Sequence, residues 1–558
     1  MSRGSRRLGW LALPVGLLLV WLVLYPNFFV LGDSLHDAGN FSLDGYRRFF
    51  DSPSEREALW NSIWLSSASV VLSGLVGVPL AFLFTRFDFP GRRILGGLVA
   101  LPVLLPPLVG VIAFVFLYGE TGFLARIVQL VLGLERPPWR LTGAWAILLV
   151  HAYTMYVYFF MFTSAGLARL DSTYAEAAAA LGASRWTTLR RVTLPMLTPA
   201  LAGAGLLVFM TSMGSFSAPY VFGGGFRVLT TQVYASKLNG DLRMSAVETV
   251  VLAVVCILFL AMLQRYESAR SFTGAGKGTG PVAGKRLQTR TARYGLAALA
   301  WGLVGFLLLP HATVFLVSLV PEGTWTTQFF PPSYSLTNYR SLFTEPEMTR
   351  PIVNSLRMAT LATIANLALA IPAAYLLVRG TFRGRWALSA LVILPWALPG
   401  TVLAVALATT FSVHQPLSGR FVLVGTFAIL PLAYFIRNVP LVTRAAMTSF
   451  RQLDPVLEEA SASLGAGIWT TGRRVVLPLV LPGVAAGALL AFVGALGEFV
   501  ASILLYTHRT RPISMAILSE LRAFDFGAAA AYGVLLIAMM ALVFLLGFRA
   551  VSGDAPGT

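Results

Sequence analysis

The residue types that usually carry enzymatic chemistry are sparse in this chain and do not cluster. Its five histidines are scattered, without the spacing of a metal site. The single cysteine, Cys256, lies inside an apolar run, so no disulfide within the chain and no thiolate metal site is expected. No Ser, His and Asp set suggests nucleophilic catalysis. The run "GAGKGTG" at Gly274–Gly280 looks like a phosphate loop but departs twice from G-x-x-x-x-G-K-[ST]: Ser271 stands where the first glycine belongs, and Gly278 follows Lys277. Two features with chemical content remain. One is a segment present twice, Asp171–Pro199 and Asp454–Pro482, with 16 of 29 positions identical. The other is an ionisable group, Glu498, inside the apolar stretch "GALGEFVASILLY" at Gly494–Tyr506.

The duplicated segment reads as two short helices. Thr173-x-x-Glu176 has the capping-box pattern, and Asp454-Pro455 places a cap residue before a first-turn proline. Small residues follow: Ala177 to Ala180 in one copy, Ala460 to Ser463 in the other. Gly182 and Gly465 suit a left-handed helix end. A second helix runs through Trp186 or Trp469 and Arg190-Arg191 or Arg473-Arg474, and Pro195 or Pro478 is expected to end it. An amphipathic helix lying on lipid is one reading. A docking surface for a partner fits better, because the face is poor in large apolar side chains.

A charged group near the centre of a membrane costs about 2.5–3.5 kcal/mol on insertion scales, so such groups mostly face water-filled paths, the alternative being a protonated glutamate bonded to a neighbouring helix. The position matching Glu498 in the first copy is Ser215, in "MGSFSAPYVFGG" at Met213–Gly224. Glycine, serine and proline there predict an irregular segment lining a cavity. Ser215 and Glu498, with the adjacent Phe216 and Phe499, are the expected lining of a translocation path. Glu248 is expected at an interface near a helix end, and Arg437 to snorkel from an inner helix end. Pro106-Pro107, and Pro395 with Pro399, predict helix kinks in the third and ninth spans.

These features must be positioned by lipid-embedded helices. The chain has 558 residues, 56% hydrophobic and only 12% charged, with a mean hydropathy of +0.74. A soluble domain carries roughly twice that share of charge. Intrinsic disorder and an ordinary set of soluble domains are excluded. The net charge of +18 fits basic cytoplasmic loops better than nucleic-acid binding. Twelve stretches nearly free of charge predict an all-α integral membrane protein: Leu8–Gly32, Ala58–Thr85, Ile94–Gly119, Leu141–Ala168, Val192–Phe226, Met244–Gln264, Tyr294–Pro321, Met358–Val378, Trp386–Gly419, Phe421–Thr443, Val475–Tyr506 and Phe526–Phe548. Leu8–Gly32 is long for a signal-peptide core and is expected to stay as a helix. Placing both termini in the cytoplasm puts 25 of the 42 basic residues there, against 15 outside.

The chain is also a tandem repeat. "SLDGYRRFF" at Ser42–Phe50 matches "SLTNYRSLF" at Ser335–Phe343, an offset of 293 that also pairs Asn61-Ser62 with Asn354-Ser355, Pro106 with Pro399 and Arg86 with Arg379. The offset falls to 283 after an insertion expected in the outer loop Glu120–Arg140. Six spans per half make the repeats parallel. The expected division is 1–265, a Gly- and Ser-rich cytoplasmic linker 266–293, and 294–558.

"EAAAALGASRWTTLRRVTLP" and "EEASASLGAGIWTTGRRVVLP" resemble the EAA loop of binding-protein-dependent ABC importer permeases. Glu176, Ala177, Ala178, Gly182 and Leu194-Pro195 match its pattern, as do Glu459, Ala460, Gly465 and Leu477-Pro478, with Ser461 replacing the last alanine. The resemblance covers about Ala58–Leu263 and Ile352–Phe548. It implies two fused permease domains in a bacterial inner membrane. Each EAA loop would dock on one of two separate ATP-binding cassette subunits, and a separate extracytoplasmic protein would deliver the substrate. No cofactor would be bound by this chain, and ATP would be used by its partners. The fused layout, "LGEF" at Leu496–Phe499 and "APYVFGG" at Ala218–Gly224 look most like ferric iron permeases, with thiamine, phosphonate and polyamine permeases similar. An ion-coupled secondary transporter would explain the parallel halves, but not the matched loops; a membrane enzyme would need a catalytic cluster.

Overall fold

The computed structural model of the protein describes residues 12–37, 39–269, 285–286, 289–324, 331–413, 418 and 421–552. Helices dominate, and β-structure among these residues is limited to two pairs of two-residue strands. One pair joins Phe87-Asp88 to Lys285-Arg286, so the segment between the halves touches the end of helix Pro53–Arg86. The Gly274–Gly280 run lies outside the described residues.

Among the described residues, ten helices are long and apolar enough to cross a membrane. An eleventh crossing is broken: Arg385–Ala397 and Gly400–Thr410 meet at 106°. Pro399 makes the break, with the residue before it, Leu398, extended at φ −101° and ψ 133°. The kink expected at Pro106-Pro107 is a full break, with a short 3₁₀ turn at Leu101–Leu104 before helix Pro107–Tyr118. Helix Ile429–Gln452 occupies the remaining expected crossing. It carries Arg437, Arg444 and Arg451 and is not among the apolar ten. With these two, one broken and one crossed by three arginines, the helices fall at all twelve expected stretches.

Each half is built on a 34-residue helix, Pro53–Arg86 or Pro346–Arg379. Each packs along the helix leading to its half's duplicated loop, Ala144–Arg169 or Ile429–Gln452. In the first half a Cβ on Gly77 would lie 2.3 Å from the Tyr156 carbonyl oxygen, so only glycine allows this approach. The repeat motifs have matching jobs. Tyr46 bonds the Ser34 hydroxyl at 2.8 Å, and Tyr339 bonds Ser318 at 2.7 Å. Asn61 Nδ2 donates to the Arg227 carbonyl, and Asn354 Nδ2 to those of Arg509 and Arg511. Ser62 and Ser355 accept from the amides of Leu229 and Ile513, the first residues of helices Leu229–Leu238 and Ile513–Arg522. An unpaired amide at a buried helix start is thereby satisfied in both halves.

The halves exchange arms. Helix Ala12–Leu35 packs on Gly400–Thr410 of the second half, with Trp21 edge-on to Phe411 at 5.7 Å. Helix Arg290–Ser318 packs on Pro107–Tyr118 of the first half, and Tyr153 donates to the Leu307 carbonyl at 2.7 Å. Glu248 is fully buried in the protein: the second turn of its helix packs against Leu229–Leu238, and Ser236 Oγ donates to its carboxylate at 2.7 Å.

Candidate coupling loops and translocation seam

Both copies of the duplicated segment fold alike. Asp171 caps helix Ser172–Ala180 by accepting from the Thr173 amide at 3.0 Å, and Asp454 caps Pro455–Ser463 by accepting from Val456 at 3.0 Å. The cap in the first loop is therefore Asp171, not the expected Thr173, because the helix starts two residues earlier. Both helices close identically. Gly182 has φ +78° and donates to the Ala179 carbonyl, while Ala183 donates to Ala178. Gly465 has φ +82° and donates to Ala462, while Ala466 donates to Ser461. This double bonding is a Schellman end, which needs a left-handed residue where the glycines sit.

The expected stop at Pro195 and Pro478 is corrected. The chain runs on as one helical rod through both prolines, Arg185–Met213 and Trp469–Leu496. A π-turn precedes each proline, Leu189–Thr193 and Gly472–Val476, and holds the paired arginines. The wider turn takes up the bond that proline cannot donate.

Glu176, Ala177, Gly182, Glu459, Ala460 and Gly465 are exposed, and Ala178 is half-buried. The expectation of a face poor in large apolar groups is corrected, because Leu181 and Leu464 are each 89% exposed, Trp186 67% and Trp469 82%. The loops differ in one tether. Arg379 Nε donates to Glu458 at 2.9 Å, Tyr375 donates to the same carboxylate at 3.0 Å, and Arg379 Nη2 donates to the Leu453 carbonyl at 2.7 Å. The first loop has Ala175 at the position of Glu458 and lacks this tie.

At the far end of each rod the helix breaks, at Gly214–Phe216 and Gly497–Phe499, and the halves meet. A Cβ on Gly214 would lie 3.5 Å from Pro399, and one on Gly497 would lie 3.7 Å from Pro106. The contacts are reciprocal, so the seam follows the repeat symmetry. Phe216 and Phe499 are both buried and face each other across it at 5.9 Å.

The polar groups beside the aromatic pair break the symmetry. Glu498 pairs with Arg437 Nε at 2.9 Å and accepts from the Ala501 amide at 3.0 Å, at the start of helix Val500–Leu505. The expectation that Arg437 snorkels is corrected: it lies one-third of the way along its helix and turns inward to the carboxylate. The Glu498 side chain is 9% exposed and that of Arg437 36%. Ser215 instead bonds the buried His151 at 2.9 Å, and His151 reaches Ser69 at 2.9 Å and Ser212 at 3.1 Å. His151, Arg437 and the Tyr434–Ser502 bond at 2.7 Å were not anticipated from sequence. The offset of 283 was their signal, since it sets His151 opposite Tyr434 as it sets Ser215 opposite Glu498.

The sequence profile described as "Binding-protein-dependent transport system inner membrane component" matches residues 74–271 and again 366–551. The chain belongs to this family. It is 31% identical to a "Probable ABC transporter permease protein" of Sinorhizobium fredii over 100% of this chain and 99% of that one. It is 26% identical to a ferric transport system permease protein of Actinobacillus pleuropneumoniae, over 99% and 80%. A Fe(3+)-transport system permease protein of Haemophilus influenzae is 24% identical, over 88% and 90%. The protein is thus an ABC importer permease, a transport subunit with the permease unit present twice.

In this permease the residues singled out from sequence fall into two groups at opposite ends of the same rods. The 20-residue helices Leu194–Met213 and Leu477–Leu496 separate them, about 30 Å at 1.5 Å per residue.

Proposed function

We propose that this permease imports ferric iron through the seam between its halves, driven by two ATP-binding cassette subunits docked on the loops around Ser172–Ala180 and Pro455–Ser463. A separate extracytoplasmic binding protein delivers the metal to the opposite side, and both termini lie in the cytoplasm with the loops. The observation that carries this reading is the pair of identically capped knobs, each presenting an exposed Leu and Trp at the base of a rod that ends at Phe216 or Phe499. Movement of a knob is carried along a continuous helix to the aromatic pair, so closing and opening of the seam follow the state of the ATPases. Ferric iron is supported by the names of the two ferric transport relatives. Phe216 and Phe499 form the seal, and Glu498, Arg437 and Ser215 are the polar groups that line the path once the seal parts.

The test is reconstitution of the permease in proteoliposomes with its candidate ATPase and binding protein. ATP-dependent uptake of ferric iron is expected. Uptake that needs no ATPase and follows an ion gradient would overturn the coupling; ATP-driven uptake of another cargo only would overturn the substrate.

A further inference from the structure

Arg385 and Arg451 lie on neighbouring helices of the second half and border one cavity of about 290 Å³. Trp386, Ser389, Leu377 and Met447 complete its lining. Both guanidiniums are exposed, and among the described residues neither has a hydrogen-bond or ion-pair partner. Arg385 and Trp386 open helix Arg385–Ala397, which begins after the left-handed Gly384 at φ +93°. The free amides of that first turn add a positive end to the same place. The cavity lies at the end of the bundle that bears the coupling loops: Arg379, six residues before Arg385, bonds Leu453, two residues after Arg451. Trp386 is 79% exposed. Two to three turns further along the same two helices, Arg444 stacks on the half-exposed Trp396 at 4.8 Å.

The equivalent described residues of the first half do not form such a pair. Arg92, the counterpart of Arg385, is turned back to donate to the carbonyls of Phe84 at 2.6 Å and Thr85 at 3.3 Å. Ala168 stands where the second half has Arg451, and Arg93 where it has Trp386. Repeat symmetry therefore does not demand two free arginines here.

We infer that the Arg385–Arg451 cavity binds a phosphate group, held by two guanidiniums, the Ser389 hydroxyl and a helix N-terminus. Two unpaired guanidiniums match the oxygens of a phosphate mono- or diester. The flanking Trp386, Leu377 and Met447 suit the glycerol and first carbons of a phospholipid, and basic pockets at this membrane level take anionic head groups. A soluble phosphate would use the same polar contacts without the apolar ones.

The experiment titrates the purified full-length permease with phosphatidylglycerol, reading retained lipid by native mass spectrometry, with phosphatidylcholine and inorganic phosphate as competitors. The Arg385→Gln/Arg451→Gln variant should retain phosphatidylglycerol about tenfold less than wild type, while eluting as the same monodisperse particle. Arg383→Gln, an exposed neighbour that does not line the cavity, should retain it fully. Resistance to inorganic phosphate identifies a lipid head group as the ligand; displacement by inorganic phosphate identifies a soluble one. Equal retention by the double variant and wild type, or an equal loss in Arg383→Gln, overturns the site.

Discussion

At the residue scale the central fact is that Glu498 is not alone. A carboxylate with 9% of its side chain exposed is held by Arg437 and by a helix-start amide. Removing one member of such a pair leaves a half-buried charge without a partner, which costs more than removing both. Glu498→Gln and Arg437→Gln should each lower uptake and thermal stability while leaving assembly intact. The double variant should recover part of both, with a coupling of about 1–3 kcal/mol. A thermal-shift and uptake cycle checks this; additive losses would show that the two groups act separately. Phe216 and Phe499 make a different prediction. Phe499→Ala removes a buried ring from the seam, at a cost of about 3–5 kcal/mol. Vesicles bearing the variant should leak small solutes in the absence of ATP. A tight seal in the variant removes these rings from the gate.

At the scale of elements, the duplicated loops are held by backbone geometry more than by packing. Nothing lies within 4 Å of a Cβ placed on Gly182 or Gly465, yet both have a left-handed φ. Gly465→Val, and likewise Gly182→Val, should therefore strain only the knob, by about 1–2 kcal/mol. The protein should stay in the membrane while ATPase co-purification falls, and Gly465→Asn should retain more binding because Asn tolerates this conformation. Full coupling in the double valine variant would sink the docking reading. The Glu458 tether adds an inequality between loops. Glu458→Ala releases Arg379 and Tyr375 and should weaken ATP-coupled uptake, whereas Ala175→Ser in the first loop should change little. These knobs were legible in the sequence because capping Asp, left-handed Gly and small helical residues act locally. Their continuation through Pro195 and Pro478 was not legible. A π-turn has no composition signal, and proline inside a helix normally reads as a stop. The Arg437–Glu498 pair was hidden for a related reason: the partners are 61 residues apart, and only the packing of two helices joins them.

At the scale of the whole molecule, the parallel duplication was readable from two constant offsets, and it fixed which ends of the spans lie together. The orientation proposed from the basic residues, 25 inside against 15 outside, is tested by reporters fused after Gly280 and after Glu135, which should fall on opposite sides of the membrane; activity on one side for both would refute it. What the offsets could not show is that each half lends an arm to the other. The repeat describes kinship between segments, whereas arm exchange depends on surface fit between Ala12–Leu35 and Gly400–Thr410, and between Arg290–Ser318 and Pro107–Tyr118. That exchange has a consequence for biosynthesis. The ribosome delivers the first half before part of the surface that will cover it. Helix Pro107–Tyr118 waits for Arg290–Ser318, and Ala12–Leu35 waits longer still, until Gly400–Thr410 has been inserted. A nascent chain stopped between the halves is therefore an unfinished product with partly bare helical faces, open to membrane chaperones and proteases, until spans of the second half cover them.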